Sequence, residues 1–157
     1  MRSSDTVIRP ARPEDAPRLH ELHTASVRAL CSSHYSADVI DAWLLNRAPS
    51  GYLSPIERGV LFVAERTDRI VGFGEAAAGT VIAVYLDPAD VLQGVGTAIL
   101  RHAVGLARRE HDDPVRLEAT LNARDFYKRA GFREVKHSTV KRNRVDVPVV
   151  IMEFDAG

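Results

Sequence analysis

Two closely spaced glycines offer the first chemistry in this 157-residue chain. Gly94 and Gly96 follow an apolar segment, 81–86, and the turn Asp87-Pro88, and a helical pattern begins directly after them. Glycine lets the backbone approach a ligand closely, and the first turn of a helix presents unpaired N–H groups and a positive dipole end to an anion. The pattern predicts a phosphate-binding turn, although these residues alone are equally compatible with a plain strand-to-helix connection.

Other side chains that could do chemistry point less clearly to a site. Cys31, the single cysteine, cannot form an internal disulfide and is predicted to be structural, since no base is evident beside it. His20 and His23 lie three residues apart on a predicted helix, where they could face a metal ion. No third ligand is evident nearby, so we expect packed or solvated histidines and no metal.

The composition limits the classes of partner that the chain is expected to bind. The formal net charge is zero and the sequence pI is about 7, which disfavours binding to nucleic acid. No apolar run approaches the length of a membrane span, and no signal peptide is evident at the start. These features predict one soluble domain over 1–157, cytoplasmic and without a membrane partner.

The periodicity of apolar residues predicts an α/β (α+β) protein with seven strands and about four helices. A short strand at 7–8 is followed by two helices, the second capped by Ser36, and by a loop at 47–59 that carries Pro49 and Pro55. Strands at 60–65, 70–77 and 81–86 form an antiparallel meander. A helix from about Gly94 crosses over to a strand at 115–121, which is therefore predicted to be parallel to 81–86. A short helix capped by Asn122 and a closing hairpin, 132–140 with 145–154, complete the order.

Two segments in this order resemble the GNAT family of acyl-CoA-dependent N-acetyltransferases. One runs Tyr85-Leu86-Asp87-Pro88 and then Gly94-Val95-Gly96-Thr97-Ala98, and the other is Asn122-Ala123-Arg124-Asp125-Phe126-Tyr127-Lys128-Arg129-Ala130-Gly131-Phe132. The resemblance covers nearly the whole chain. It implies a mostly antiparallel mixed sheet whose fourth and fifth strands are parallel and splay apart to hold acetyl-CoA.

The family's phosphate loop reads Gln/Arg-x-x-Gly-x-Gly/Ala. Aligned without gaps from Asp87-Pro88, it places Gly94 and Gly96 on the small positions and Val91 where the family has Gln or Arg. A second register, from Gln93 with Gly96 and Ala98, needs two extra residues, so the ungapped one is preferred. Backbone donors hold a diphosphate without the missing side chain.

The resemblance also implies which residues contact the cofactor. Pantetheine amides would pair with exposed backbone of the fourth strand, as an added strand does, and a backbone N–H there would stabilise the thioester oxyanion. The implied cofactor contacts are Val84, Tyr85, Leu86, Leu92, Gln93, Gly94, Val95, Gly96, Thr97, Asn122 and Tyr127. For Asn122, capping the short helix and touching pantetheine are equal alternatives.

Tyr127 matches the family tyrosine that protonates the departing thiolate of CoA, a role that suits a phenol because it keeps its proton at neutral pH. The family often has a glutamate base at the position of Thr80. Glu75 is therefore the first candidate base here, with Glu118, His34 and His137 as others, and a neutral amine or a water chain would need none.

These features imply an enzyme that transfers acetyl from acetyl-CoA to a primary amine by direct attack in a ternary complex. Val91 and Thr80 favour the alternative of a non-catalytic acyl-CoA sensor or interaction module. A nucleoside triphosphate site is a poor third, because no Lys-Ser/Thr follows the glycines. The acceptor, a small-molecule amine or a protein or peptide amine, is left open, and a homodimer is possible.

Overall fold

The computed structural model describes residues 5–91 and 94–155, and these form one mixed seven-stranded sheet in the order β1-β2-β3-β4-β5-β7-β6. The strands are β1 (Val7–Pro10), β2 (Leu61–Arg66), β3 (Arg69–Ala77), β4 (Thr80–Leu86), β5 (Val115–Thr120), β6 (Arg133–Arg142) and β7 (Val145–Phe154). Only β4 and β5 pair in parallel; the other pairs are antiparallel. The predicted fold class, the meander and the parallel pair are confirmed.

Five α-helices cover the described part of the sheet. They are α1 (Ala16–Leu30), α2 (Ala37–Leu44), α3 (Leu53–Glu57), α4 (Val95–Ala107) and α5 (Arg124–Arg129). As predicted, the Ser36 side chain caps α2 by accepting the N–H of Val39. The prediction of a plain loop at 47–59 was wrong, because a 3-10 turn, Pro49–Tyr52, leads directly into α3. A helix of five residues is too short to show an apolar period, and Pro55 is tolerated within its first turn.

The helix α4 packs on one face of the sheet and α1 and α2 on the other. Ile99 of α4 lies directly over β3, where a Cβ added to Gly74 would come within 2.8 Å of its Cγ2. Glycine at this position therefore lets the helix approach the sheet closely. On the opposite face, Leu19 and Leu22 of α1 pack with Phe73, and Trp43 of α2 packs with β7.

Tyr35 connects the layer formed by α1 and α2 to strands β5 and β7. The Tyr35 hydroxyl, between α1 and α2, donates to the carbonyl of Pro148 in β7 and accepts the N–H of Leu121 at 3.0 Å. Since Leu121 directly follows β5, these two hydrogen bonds tie the carboxyl end of β5 to β7 and to the connection between α1 and α2.

Candidate active site

The parallel strands β4 and β5 touch only at their beginning. The register gives one pair, Thr80 with Arg116, and no further pairing along the two described strands. The register between β3 and β4 shifts so that Ala76 faces Val81 and Glu75 faces Ala83, which leaves Ile82 as an extra, bulged residue. A bulge bends its strand, and here it separates β4 from β5 and leaves one backbone edge of β4 unpaired.

This separation opens a cleft of about 610 Å³. Its walls come from β4, from the start of α4, from β5 and α5, and from the end of α1. Most residues expected to contact a cofactor line it: Val84, Tyr85, Leu86, Gly94, Gly96, Thr97, Asn122 and Tyr127. Val95 is buried in the core instead, and Leu92 and Gln93 lie outside the described residues.

The two glycines at the start of α4 have different physical roles. Gly94 caps the helix with a φ of 79°, a left-handed conformation that is unfavourable for residues with a Cβ. Gly96 lies in the first turn, where an added Cβ would be 3.3 Å from side-chain atoms of Leu86 and Phe126. The N–H groups of this turn lack acceptors within the helix, so they and the helix dipole face the cleft ready for an anion.

A network of ion pairs holds the segment between β4 and α4. Asp87 accepts from Arg18 of α1 at 2.7 Å and from Arg69 of β3 at 3.1 Å, and Arg69 also pairs with Asp90 at 2.7 Å. Burial opposes ionisation of Asp87, but hydrogen bonds from the Ala89 N–H and the two arginines outweigh it and lower the pKa. The sequence analysis missed this network, because its partners come from elements distant in the chain.

Tyr127 lines the cleft from α5 and is otherwise enclosed by Phe126 and Phe132. Burial, with a further contribution from Tyr85, raises its pKa above the ordinary value, so the phenol stays protonated. The hydroxyl has no hydrogen-bond partner among the described residues and is not sealed from solvent. It is therefore free to donate its proton to a group in the cleft.

Asn122 does not cap the following helix, which corrects that alternative. The helix α5 begins at Arg124, and its N-cap, Ala123, makes no side-chain cap. A 3-10 turn, Leu121–Ala123, intervenes and moves Asn122 out of capping position. Its Oδ1 is buried without a partner while the residue lines the cleft, so this oxygen can accept a hydrogen bond from a bound ligand.

The candidate bases differ in whether they line the cleft. Thr80, at the position where the family often has a glutamate, is exposed at the start of β4 and supplies no carboxylate. Glu118 of β5 and the exposed His34, after α1, line the cleft. Glu75 does not line it; the residue lies on β3, one strand away, opposite Ala83, and burial raises the pKa of its half-buried carboxyl against the influence of Arg58. His137 is exposed on β6, away from the cleft walls.

Cys31 directly follows α1 and lines the cleft, but burial lowers the reactivity of its thiol. Burial raises the pKa of the thiol to about 11, and the side chain packs in the apolar cluster of α2 and β7. Since the thiolate is the nucleophilic form, Cys31 is a poor nucleophile near neutral pH.

The structure assigns His23 of α1 to a buried contact with other side chains. No group of three or more His, Cys, Asp or Glu side chains suited to a metal occurs within residues 5–91 and 94–155. His23 is instead buried, with its Nδ1 2.8 Å from the Tyr52 hydroxyl and 2.8 Å from Arg47 Nη2. The His23 ring also lies against Tyr85, with 4.0 Å between ring centroids, which places it one ring behind the cleft wall.

A splayed strand edge, a glycine-opened helix and a phenol meet at one cleft, and together with the mixed sheet they define the class of architecture. Comparison with known families agrees with this architecture. A family model described as the Acetyltransferase (GNAT) domain matches residues 31–154, and the chain belongs to this family.

Individual relatives are distant in sequence and close in fold. The chain is 25% identical over 134 residues to an uncharacterized N-acetyltransferase, YafP, of Escherichia coli K12, covering 85% of each protein. A GCN5-related N-acetyltransferase structure from Rhodopseudomonas palustris superposes with a TM-score of 0.90 at 23% identity, over 99% of this chain and 98% of that one. The PaiA N-acetyltransferase of Thermoplasma acidophilum, solved with coenzyme A, gives 0.78 at 21% identity, over 96% and 99%.

Within the described residues, none of the helices combines the length and the apolar character that crossing a membrane requires.

Proposed function

We propose that the protein transfers the acetyl group of acetyl-CoA to a primary amine by direct attack within a ternary complex. The observation that carries the proposal is the arrangement of one cleft: an unpaired β4 edge leads to the N-terminus of α4, and the Tyr127 hydroxyl opens into the same space. Family membership supports the acetyl donor.

The cleft can hold each part of the cofactor with this chain's own groups. The first-turn N–H groups around Gly94, Gly96 and Thr97 suit the diphosphate. The free backbone edge of β4 at Val84 and Leu86 suits the pantetheine amides, and a backbone N–H of the same strand suits the thioester oxygen. The unpartnered Oδ1 of Asn122 adds an acceptor for a pantetheine N–H.

The reaction then balances without a covalent enzyme intermediate. The neutral amine attacks the thioester carbon, a C–N bond forms, and the C–S bond breaks as the tetrahedral intermediate collapses. The departing thiolate takes the proton of Tyr127 and leaves as CoA thiol, while the ammonium proton passes to a base and returns to the phenolate through solvent. The raised pKa of Cys31 supports direct attack rather than transfer through an acyl-cysteine.

Two carboxyl groups are candidates for the base, and the proton would reach each of them by a different route. Glu118 lines the cleft and can receive the proton directly, whereas Glu75 lies one strand away and can receive it only through water. The raised pKa of Glu75 brings that carboxyl towards the range in which a base operates near neutral pH.

A non-catalytic acyl-CoA sensor is the second candidate, favoured by Val91 at the Gln/Arg position and Thr80 at the glutamate position. The test is to incubate the full chain with acetyl-CoA and a panel of amines and to measure thiol release and product mass. We expect CoA release with at least one amine and no acetylated protein by intact mass. Binding of acetyl-CoA without release of CoA by any amine would reject the enzyme and favour the sensor.

A further inference from the structure

Arg47, a half-buried arginine that contacts His23 behind the Tyr85 wall of the cleft, has no counter-charge among the described residues. Arg47 follows α2, and its Nη2 contacts His23 Nδ1 at 2.8 Å and the Tyr52 hydroxyl at 3.5 Å. No carboxylate oxygen lies within 4 Å of its guanidinium in the part of the chain that the structure describes. Partly buried cations in proteins are usually paired, so an unpaired one beside a cleft indicates an anionic ligand.

The donor groups of Arg47 are arranged for such a ligand. Nη2 is occupied by His23 and Tyr52, and Nε is buried without a partner. Nη1 has no hydrogen-bond partner among the described residues and, unlike Nε, is not sealed from solvent. The Tyr52 ring, 6.0 Å from the guanidinium carbon, helps to hold the side chain in place. Arg47 thus presents one free, oriented donor.

A second arginine reaches the same region from the β6–β7 hairpin. The amide of Asn143, at the hairpin turn, donates to the carbonyls of Trp43 (3.0 Å) and Leu45 at the end of α2. This contact brings Arg142 towards α1 and α2. The positive charge of Arg142 acts on Tyr35, His23 and Tyr85, and that of Arg47 acts on His23 and Tyr85.

Arg142 also lacks a counter-charge in the described structure. Among the described residues, its guanidinium makes one hydrogen bond, from Nη1 to the carbonyl of Lys141 at 3.2 Å. The neighbouring Lys141 is paired with Asp146 at 2.7 Å, so the hairpin's own acid is already engaged. The positive charges of both guanidinium groups act on Tyr85, which lines the cleft.

We propose that Arg47 and Arg142 bind a carboxylate of the acceptor, so that the substrate is a small amine that also carries a carboxylate group. This proposal rests on the proposed function and specifies its acceptor. Arg47 contacts His23, whose ring lies against Tyr85 of the cleft wall, so the carboxylate would be held on the α1 and α2 side while the amine faces the thioester. Guanidinium groups form strong, directional hydrogen bonds to carboxylates.

The test compares acceptors that differ only in the carboxylate. Amino acids would be assayed beside their carboxamides and their decarboxylated amines, for example tyrosine with tyramine and lysine with cadaverine. We expect kcat/KM to be about 10- to 100-fold higher for the carboxylate-bearing member of a pair, the range for a charge-assisted hydrogen bond. Equal or faster acetylation of the amines without a carboxylate would overturn the proposal.

Arg142→Gln tests the site itself, because Arg142 lies on a hairpin end and its loss leaves the core intact. We expect the KM for the amino acid to rise about tenfold or more while the KM for acetyl-CoA is unchanged. Arg144→Gln, which removes the same charge from the same turn, is the matched control and should retain the wild-type values. An unchanged acceptor KM in Arg142→Gln would contradict the assignment.

Binding distinguishes this proposal from the proposed function. The melting temperature of the wild-type complex with CoA would be measured with each amino acid and each matched amine. Stabilisation by amino acids alone, lost in Arg142→Gln, would support the carboxylate site even if no acceptor were acetylated, an outcome that rejects only the enzyme. Absence of selective stabilisation together with absence of selective turnover would reject the carboxylate site.

Discussion

Arg18 Nη2 lies 2.7 Å from Asp87 Oδ2, although the two residues are 69 positions apart in the chain. The contact ties α1 to the segment that leads from β4 into α4. Arg69 joins the same carboxylate and continues to Asp90, whose side chain is 12% exposed. Charged groups of α1 and β3 therefore hold the chain at Asp87 and Asp90, between β4 and α4.

Replacing Arg69 tests this positioning role. Arg69→Gln leaves Asp90 without its ion pair, and we expect the KM for acetyl-CoA to rise about 3- to 10-fold, a change of the order of 1 kcal/mol. Steady-state kinetics with varied acetyl-CoA measure this. Arg133→Gln is a matched control, because the exposed Arg133 also bridges two carboxylates, Glu153 and Asp155, and does not line the cleft. Equal effects of the two variants would refute the positioning role.

Alanine at Gly94, which caps α4, and alanine at Gly105, inside α4, should change the free energy of unfolding in opposite directions. Gly94 has positive φ and open space around it, so Gly94→Ala adds strain without a clash and should lower the free energy of unfolding by about 1–2 kcal/mol. Gly105 lies inside the helix with open space, so Gly105→Ala should raise it by about 0.5–1 kcal/mol. Urea unfolding compares the two. Changes of the same sign would show that the left-handed conformation is not required.

Removal of the Tyr127 hydroxyl should separate chemistry from binding. If the phenol protonates the leaving thiolate, Tyr127→Phe lowers kcat by about 100-fold or more. The Kd for CoA and the free energy of unfolding should hardly change, because the hydroxyl lacks a hydrogen-bond partner in the described structure. Tyr35→Phe provides the contrast: it loses two hydrogen bonds and should destabilise the fold by about 1–3 kcal/mol. Unchanged turnover in Tyr127→Phe would remove the proposed acid.

The two carboxyls can be ranked by matched substitutions. Since Glu118 lines the cleft and Glu75 does not, we expect Glu118→Gln to lower kcat about 10- to 100-fold and Glu75→Gln to lower it less than about threefold. Rates would be measured at saturating acetyl-CoA across pH. A larger loss in Glu75→Gln would instead assign the proton to a water-mediated route through β3.

Acid should destabilise the fold through His23. Burial, followed by the positive charges of Arg47, His20 and Arg142, holds the pKa of His23 well below its ordinary value. The unfolded chain therefore binds a proton that the folded chain does not, and stability is complete above about pH 6.5 and falls by up to about 1.4 kcal/mol per pH unit below it.

Denaturant unfolding of wild type and His23→Gln between pH 7.5 and 5 measures this dependence. The smaller contribution expected from His102, whose pKa is also lowered by burial and by Arg109, is present in both proteins and cancels in the difference. His137→Gln, at an exposed position on β6, is the control. A wild-type slope retained in His23→Gln would contradict the assignment to His23.

The local sequence pattern was sufficient to predict much of the fold. Strand ends at 60–65, 70–77 and 81–86 were predicted within about one residue of β2, β3 and β4, because alternation and turn residues are properties of a few neighbouring positions. The glycines at 94 and 96 and the helix with Tyr127 were identified in the same way, and both now line one cleft.

Local pattern failed where the decisive partner is distant in sequence or the segment is short. The five-residue helix α3 has no period to detect, and the turn that displaces Asn122 from the cap follows from how the chain leaves β5. The position of Glu118 at the cleft and of Glu75 one strand away depends on which strands separate, and β4 and β5 separate after a single pair beside the register shift at Ile82.

The sequence by itself determined the order of elements and the residue types at the donor end of the cleft, because these depend on short-range backbone preferences. Only the tertiary structure brought Arg18 to Asp87 and placed Arg47 against His23, behind Tyr85. Contacts between residues tens of positions apart form through packing of whole elements, and no local spacing records them.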